Sequence, residues 1–221
     1  MNDSDRPLRL GIDLDGVMCN FNEAFRSLII ELVGVTLPLI CNTYPDTWNY
    51  HRTAGVTKDQ DNKLWAHISD NTNQFWRNLG ELPGAVLLRD LSDMVDARKV
   101  TVYFITNRPD AGAHQQSMAW LAAHGFRTPV VLIANDETAK GKLAAGLNLD
   151  ALIDDKPENC LQVRDRAKHT RVFILDAPYN RTIAFTGITR VFSVREMLEQ
   201  LQLLEVKPGP LEQAFNERQA A

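Results

Sequence analysis

The stretch that decides the fold is Leu10-Gly11-Ile12-Asp13-Leu14-Asp15-Gly16-Val17. The apolar run from Leu8 to Leu14 predicts a short buried strand that ends in two carboxylates. Alternation along a strand would send the side chains of Asp13 and Asp15 to the same side, and Gly16 would let the chain turn sharply there. Two acids held this closely are costly to keep ionised without a positive charge between them. The stretch therefore predicts a site for a hard divalent cation together with a phosphate.

The composition limits the class of protein and of ligand. The chain has 221 residues, of which 44% are hydrophobic and 24% charged, so it can bury one ample core or a core with a modest insertion. The formal net charge is −4 and there is no long Lys/Arg run, which argues against a nucleic-acid polymer as partner. A small phosphorylated substrate needs only a few local cations.

The cysteines and the apolar stretches indicate a cytoplasmic protein. Cys19, Cys41 and Cys160 are widely spaced and form no CxxC pair, as is typical of reduced thiols. The first nine residues are polar, with two Asp and two Arg, unlike a signal peptide. The most apolar stretch, residues 28–40, contains a glutamate and a proline and is too short to span a bilayer, so no membrane partner is expected. The sequence leaves the oligomeric state open, a homodimer included.

The region from residue 17 to 79 has the character of a helical insertion. Helical periodicity extends from Asn20 to Val33, and the following residues are rich in Asn, Asp and Pro without a convincing strand. Eight of the chain's seventeen aromatic residues lie in this region. We interpret it as a small helical cap inserted after the first strand.

The remainder alternates between strands and helices. Strands are predicted at 99–106, 129–134, 151–153, 171–175 and 190–192, and helices at 85–97, 110–125 (capped by Asp110), 138–147, from Pro157 onward and at 194–204. This alternation predicts an α/β fold with a doubly wound parallel sheet. The predicted organisation is a core of residues 1–16 and 80–206, a cap of residues 17–79 and a tail of residues 207–221.

Polar residues follow four of the predicted strands. The first strand ends in Asp13 and Asp15, the second in Thr106-Asn107-Arg108, and a later one in Asp154-Asp155, while Lys140 and Lys142 open the helix after the third. Each group alone has an ordinary explanation as a turn, a helix cap or solvated surface. Ligands of such sheets gather at the carboxyl ends of the strands, so together they predict a metal and phosphate site.

These four groups resemble the motifs of the haloacid dehalogenase superfamily of aspartate-nucleophile phosphatases, whose core is a Rossmann-like sheet. A narrower resemblance is to the 5'(3')-deoxyribonucleotidase branch and its bacterial and phage relatives. The segments that carry it are residues 13–21, 82–85, 104–108, 152–159 and 177–181.

The resemblance implies a Mg²⁺-dependent phosphomonoesterase that acts through an aspartyl phosphate. Asp13 would be the nucleophile and Asp15 the general acid and base. The Mg²⁺ ligands would be Asp13, the backbone carbonyl of Asp15, and Asp154, with Asp155 bound directly or through a water.

Phosphate oxygens would be held by Thr106, Asn107 and Lys140, with Lys142 as the alternative lysine. Arg108 could either reach the phosphate or pair with a neighbouring acid, and the sequence leaves these alternatives open.

The cap aromatics Phe21, Trp48, Trp65 and Trp76 are the predicted substrate contacts, because a nucleobase can stack on such rings. Packing within the cap is the competing interpretation of each. A deoxyribonucleoside monophosphate is the favoured substrate. The alternatives are another small phosphomonoester such as a phosphosugar, or a binding or signalling module phosphorylated on Asp13 without turnover. The base, the sugar and the 5' or 3' position are left open.

Overall fold

The computed structural model describes residues 6–35, 37, 47–82, 88–109, 111–136, 138–182 and 184–204. Within these ranges six strands form one sheet: β1 (Leu8–Ile12), β2 (Val100–Thr106), β3 (Val131–Ile133), β4 (Ala151–Asp154), β5 (Arg171–Leu175) and β6 (Ile188–Val191). All neighbouring strands are parallel, in the order β3-β2-β1-β4-β5-β6. The predicted α/β class with a doubly wound parallel sheet is confirmed.

The helices cover both faces of this sheet. They are α1 (Phe21–Val33), α2 (Tyr50–Thr53), α3 (Lys58–Ser69), α4 (Leu88–Asp96), α5 (Ala113–Ala123), α6 (Ala139–Gly146), α7 (Pro157–Arg166) and α8 (Val194–Gln200). Alternate residues of β5 enter opposite apolar clusters: Phe173 and Leu175 join one, Val172 and Ile174 the other. Burial on both faces explains why the strands are almost continuously apolar.

The insertion after β1 is helical in its described part, which holds α1, α2, α3 and two 3₁₀ turns, at Asn71–Asn73 and Trp76–Asn78. Asn20 caps α1 by accepting the Glu23 N–H, and Thr57 and Gln60 form a capping box at the start of α3. Phe25, Ile29 and Leu64 belong to the same apolar cluster as residues of β1 and β2. The insertion is therefore packed onto the sheet, while its status as a separate cap domain stays a prediction.

The differences from the predicted elements lie at their ends. The first strand ends at Ile12 rather than Leu14, and the last is Ile188–Val191 rather than 190–192. The predicted start of α5 at Asp110 is two residues early, since Gly112 is its N-cap; Asp110 itself lies outside the described residues. Backbone hydrogen bonds and packing set these ends more than side-chain propensity does.

Parts of other predictions also fall outside the described residues, namely the first three residues of the predicted helix 85–97, Cys41 and the tail 207–221. Cys19 and Cys160 are buried free thiols. Every helix in the described ranges is too short or too polar to cross a bilayer.

Helix α6 lies against α7 so closely that Gly141 leaves no space for a side chain. A Cβ on Gly141 would lie 2.8 Å from the backbone oxygen of Gln162, whereas one on Gly146 would meet nothing within 4 Å. We expect Gly141→Ala to lower the free energy of unfolding by about 1–3 kcal/mol through overpacking.

The matched variant Gly146→Ala should leave the stability unchanged or raise it by up to about 1 kcal/mol through helix propensity. Urea denaturation of the two variants measures the difference. Equal effects would show that α6 and α7 can separate without cost.

Candidate active site

A pocket opens at the carboxyl ends of β1 and β2, near the point where the strand order reverses between β1 and β4. Open α/β sheets bind their ligands at this position. The core contributes five of the predicted site residues to the pocket wall, Asp13, Asp15, Thr106, Asn107 and Lys140. The insertion contributes all four predicted aromatic residues, Phe21, Trp48, Trp65 and Trp76.

Three buried carboxylates meet beside this pocket. Asp13, Asp154 and Asp155 each offer an oxygen within 4.8 Å of the others. The ammonium of Lys140 lies 2.9 Å from Oδ1 of Asp13 and 2.6 Å from Oδ2 of Asp154. Lys140 is itself buried, so it contacts two of the three acids away from bulk water.

The pKa values reflect this imbalance of charge. Burial raises the pKa of Asp13 well above its usual range; Lys140 opposes this rise, and the neighbouring carboxylates add to it. Burial and the charge of Asp154 raise the pKa of Asp155 to about 7. Burial alone would lower the pKa of Lys140, but Asp13 and Asp154 raise it above its ordinary value.

The acidic cluster fits a hard divalent cation. Oδ1 of Asp155 is buried and has no hydrogen-bond partner within the described part of the chain. An all-oxygen donor set with excess negative charge is what Mg²⁺ prefers. The carboxylate of Asp15 is not among the three that cluster, and the predicted use of its backbone carbonyl as a ligand stays a prediction.

Neighbouring groups hold the cluster in place. Asn159 donates from Nδ2 to both oxygens of Asp154, at 3.0 and 3.1 Å, and the Leu14 N–H donates to Oδ1 of Asp13 at 2.8 Å. The hydroxyl of Tyr179 donates to Oδ2 of Asp155. Gly16 has a φ of +81°, and a Cβ there would clash with the Asp155 carboxylate. The sharp turn after Asp15 thus needs glycine for two separate reasons.

Asp15 has a different partner from Asp13. The fully buried guanidinium of Arg108 donates from Nε to Oδ2 of Asp15 at 2.9 Å and from Nη2 to Oδ1 at 2.7 Å. Thr106 also donates to Oδ2, at 3.3 Å. Of the two alternatives left open for Arg108, the structure shows pairing with an acid. Both aspartates line one pocket, but since β1 ends at Ile12, strand alternation does not explain their orientation.

The two lysines at the start of α6 have different surroundings. Lys140 is buried between Asp13 and Asp154, while Lys142 is exposed and lies 3.4 Å from Oδ2 of Asp136. The structure therefore brings Lys140 to the acidic cluster and leaves Lys142 at the surface.

The aromatic residues of the insertion form a stack around Phe21. Its ring centre lies 5.8 Å from that of Trp76, 6.3 Å from Trp65 and 6.4 Å from Trp48, with interplanar angles of 16–21°. The ammonium of Lys156 lies 3.7 Å from the centre of the Trp48 ring. These rings pack against one another and line the pocket at once, so their role as substrate contacts stays a prediction.

The prediction missed several polar residues of the site. Asn159 is the third residue of α7, and its place one turn after Asp154 was a usable signal. Tyr179 lies in the segment 177–181 that carries the family resemblance, and its hydroxyl donates to Asp155. Asn22 and His51 also line the pocket, but a single Asn or His among polar residues gives no distinguishing signal in the sequence.

Comparison with known proteins identifies the family. Residues 6–207 match the family described as "5' nucleotidase, deoxy (Pyrimidine), cytosolic type C protein". The chain belongs to this family. It is therefore a phosphoric monoester hydrolase of the 5'-nucleotidase class, as predicted, and the resemblance to the deoxyribonucleotidase branch is confirmed.

A curated relative and two solved structures are similar to the chain. A candidate 5'(3')-deoxyribonucleotidase of Chlorobaculum tepidum is 26% identical over 172 residues, which cover 77% of this chain and 80% of the relative. A haloacid dehalogenase-like hydrolase from Streptococcus pneumoniae superposes with a TM-score of 0.58 at 16% identity, covering 89% of this chain and 99% of that one.

A Deinococcus radiodurans hydrolase of the same superfamily, solved with bound phosphate and sodium, superposes with a TM-score of 0.53 at 14% identity. The aligned region covers 92% of this chain and 100% of that one. At these identities the two structures establish the shared fold.

The glycine at the turn offers a test of the acidic cluster as a cation site. Gly16→Ala and Gly55→Ala both place alanine at a positive φ, but only the first clashes with Asp155, since nothing lies within 4 Å of a Cβ at Gly55. Saturating Mg²⁺ should raise the melting temperature of the wild type and of Gly55→Ala by roughly 5–10 °C.

We expect this Mg²⁺-dependent rise in melting temperature to be largely lost in Gly16→Ala, because the added methyl group displaces a carboxylate of the cluster. Thermal unfolding in the presence of Mg²⁺ and of EDTA measures the rise. An equal rise in both variants would mean that Asp155 takes no part in binding the cation.

Proposed function

We propose that this chain is a Mg²⁺-dependent 5'-nucleotidase of the cytoplasm that dephosphorylates deoxyribonucleoside monophosphates through a phosphorylated Asp13. The observation that carries the proposal is the meeting of Asp13, Lys140 and two further buried acids at one end of a pocket whose other end is walled by aromatic rings. The family description and the name of the Chlorobaculum relative support the substrate class.

Asp13, Asp154, Asp155 and the backbone carbonyl of Asp15 would hold Mg²⁺. When bound, the ion would offset the negative charge that the phosphate brings to the acidic cluster. Lys140 lies between two of the acids and is available to neutralise charge on the transferring phosphoryl group.

Asp13 would be the nucleophile. Its Oδ1 accepts from Lys140 and from the Leu14 N–H, which fixes the carboxylate at the pocket wall. An oxygen of Asp13 forms a bond to phosphorus while the bond from phosphorus to the ester oxygen breaks, and water then hydrolyses the aspartyl phosphate. Thr106 and Asn107, at the end of β2, would hold phosphate oxygens.

Asp15 would transfer the protons of both steps. It gives a proton to the departing alkoxide and takes one from the attacking water. Its carboxylate accepts hydrogen bonds from Nε and Nη2 of Arg108, which fix its position at the pocket wall.

The aromatic wall favours a nucleoside over other leaving groups, because its base can stack on the rings. Stacking of a base on aromatic rings contributes about 1–3 kcal/mol by substitution data. A phosphosugar would gain little from these faces, because its hydroxyl groups need polar partners.

A panel of phosphate esters tests the substrate class. We expect deoxyribonucleoside monophosphates to have a higher kcat/KM than ribonucleotides and sugar phosphates, and Asp13→Asn to abolish phosphate release from all of them. Equal or better turnover of sugar phosphates would remove the nucleotidase assignment. Binding without any release of phosphate would favour a signalling module instead.

Asp15→Asn tests the proton-transfer role through the leaving group. Removing a general acid typically lowers the rate 10²- to 10⁴-fold. The whole of this loss in rate should appear with a nucleotide, whose alkoxide needs a proton. With p-nitrophenyl phosphate, whose leaving group needs none, a burst of about one nitrophenolate per enzyme should persist. Rapid-mixing absorbance at 400 nm measures the burst. Equal losses with both esters in the first turnover would exclude Asp15 as the acid.

A further inference from the structure

A buried amide lies in the aromatic end of the pocket. Asn22 is the second residue of α1, directly after Phe21, and only 2% of it is exposed. Its backbone carbonyl accepts from the hydroxyl of Tyr50 at 3.1 Å. Its side chain lines the pocket, and within the described part of the chain it makes no hydrogen bond.

The side-chain amide of Asn22 has hydrogen-bonding groups that no described residue satisfies. An asparagine side chain has two donors and an acceptor oxygen with two lone pairs, and leaving them unpaired when buried costs free energy. The great majority of buried polar side-chain atoms in folded proteins are hydrogen-bonded. The amide atoms of Asn22 are not among the enclosed, unpaired atoms of the described residues, so they stay open to the pocket, where a ligand would supply the missing partner.

We propose that the side-chain amide of Asn22 reads the hydrogen-bonding edge of the nucleobase and so sets the preference of the enzyme among substrates. This inference rests on the proposed nucleotidase function and extends it to the leaving group. The amide carries a donor and an acceptor in one plane, and base edges present such neighbouring donors and acceptors. Asparagine recognises bases in this bidentate manner in other proteins.

The position of Asn22 favours the base over the phosphate. Phe21 and Phe25, one helical turn apart on α1, line the same part of the pocket, so a ring lying among these aromatic faces would direct its edge towards the neighbouring amide. The phosphate end is marked by Lys140 and the three buried acids, which all belong to the core.

His51 is the other polar ring at this end of the pocket, and it is less suited to read a base. Its two ring nitrogens are enclosed and so are closed off from a ligand in the pocket, unlike the amide of Asn22, and Nε2 lies 3.5 Å from Oδ1 of Asp61. Burial lowers its pKa despite the opposing charge of Asp61, which keeps the ring neutral. We therefore assign the reading of the base to Asn22 alone.

The test compares Asn22→Leu with Asn62→Leu, a matched change at an exposed asparagine of α3. The substrates are the four deoxyribonucleoside 5'-monophosphates and 2-deoxyribose 5-phosphate, which has the same phosphate and sugar but no base. We expect Asn22→Leu to lower kcat/KM for the best nucleotide by about 5- to 30-fold, mainly through KM. Turnover of 2-deoxyribose 5-phosphate should change less than about twofold, and Asn62→Leu should change neither.

Asn22→Asp is the second variant, since it keeps the shape of the side chain but can only accept hydrogen bonds when ionised. It should change the order of preference among the four bases. Calorimetric titration of the free deoxynucleosides into each variant should show the same losses and reorderings without any phosphate chemistry.

Three outcomes would overturn the proposal. Asn22→Leu could lower the turnover of the base-free ester as much as that of the nucleotides, which would indicate a structural role. The preference among bases could stay unchanged in both variants. A His51→Gln variant could alter base preference where the Asn22 variants do not. Failure of the nucleotidase function itself is distinct, because the wild type would then not prefer nucleotides to 2-deoxyribose 5-phosphate.

Discussion

The arrangement of the site depends on one buried ion-pair network, in which Lys140 bridges Asp13 and Asp154. Taking these groups out of water is costly, and their mutual attraction repays the cost only when geometry and hydrogen bonds are good. The Leu14 N–H and Asn159 supply such bonds. The network is still one positive charge against three acids, once Asp155 is counted. A closely packed site in which acidic groups outnumber basic ones is suited to bind a further cation. This excess of negative charge connects the fold to the proposed chemistry.

Sheet topology brings the members of this network together across long sequence distances. Ile12 of β1 pairs with Ile153 of β4, and the Asp13 N–H donates to the carbonyl of Ile153, so the residues that follow these partners are neighbours. On the other side of β1, Ile12 pairs with Phe104, which places the end of β2 beside the same turn. Parallel register alone therefore delivers acids and a hydroxyl to one edge. The helix after β3 then needs only to direct one lysine inward.

These relations explain how much the sequence could predict. The polar residues that follow a strand can be recognised in the sequence even where the last residue of the strand cannot, because apolar runs stop near the strand end, and the parallel order of the strands makes these residues converge. Which side chains then pair with one another cannot be predicted in this way. Lys140 and Lys142 lie about 200° apart around a helix, so they point to nearly opposite sides of it. Which of the two faces the sheet depends on where the helix starts, and the sequence locates that residue poorly.

Arg108 pairs with Asp15 while Ser117 of α5 accepts from its Nη1 at 2.7 Å, a tertiary contact without a local sequence pattern. Asn22 is notable for the partner that it lacks, which only a structure can show.

The insertion lines the substrate pocket and also places aromatic rings over charged groups of the core. The ring of Trp76 lies 4.6 Å from the guanidinium carbon of Arg108, and that guanidinium pairs with Asp15. On the opposite side, Trp48 lies under the ammonium of Lys156, whose backbone N–H donates to Asp154 at 2.8 Å. The face of Trp76 over Arg108 shields its ion pair with Asp15 from water, and electrostatic interactions strengthen as the local dielectric falls. The rings that would receive a base thus also form part of the shielding around the acids. For this reason the shape of the pocket and the charge of the site cannot be altered independently: a change to the aromatic stack also changes the surroundings of Asp15 and Asp154.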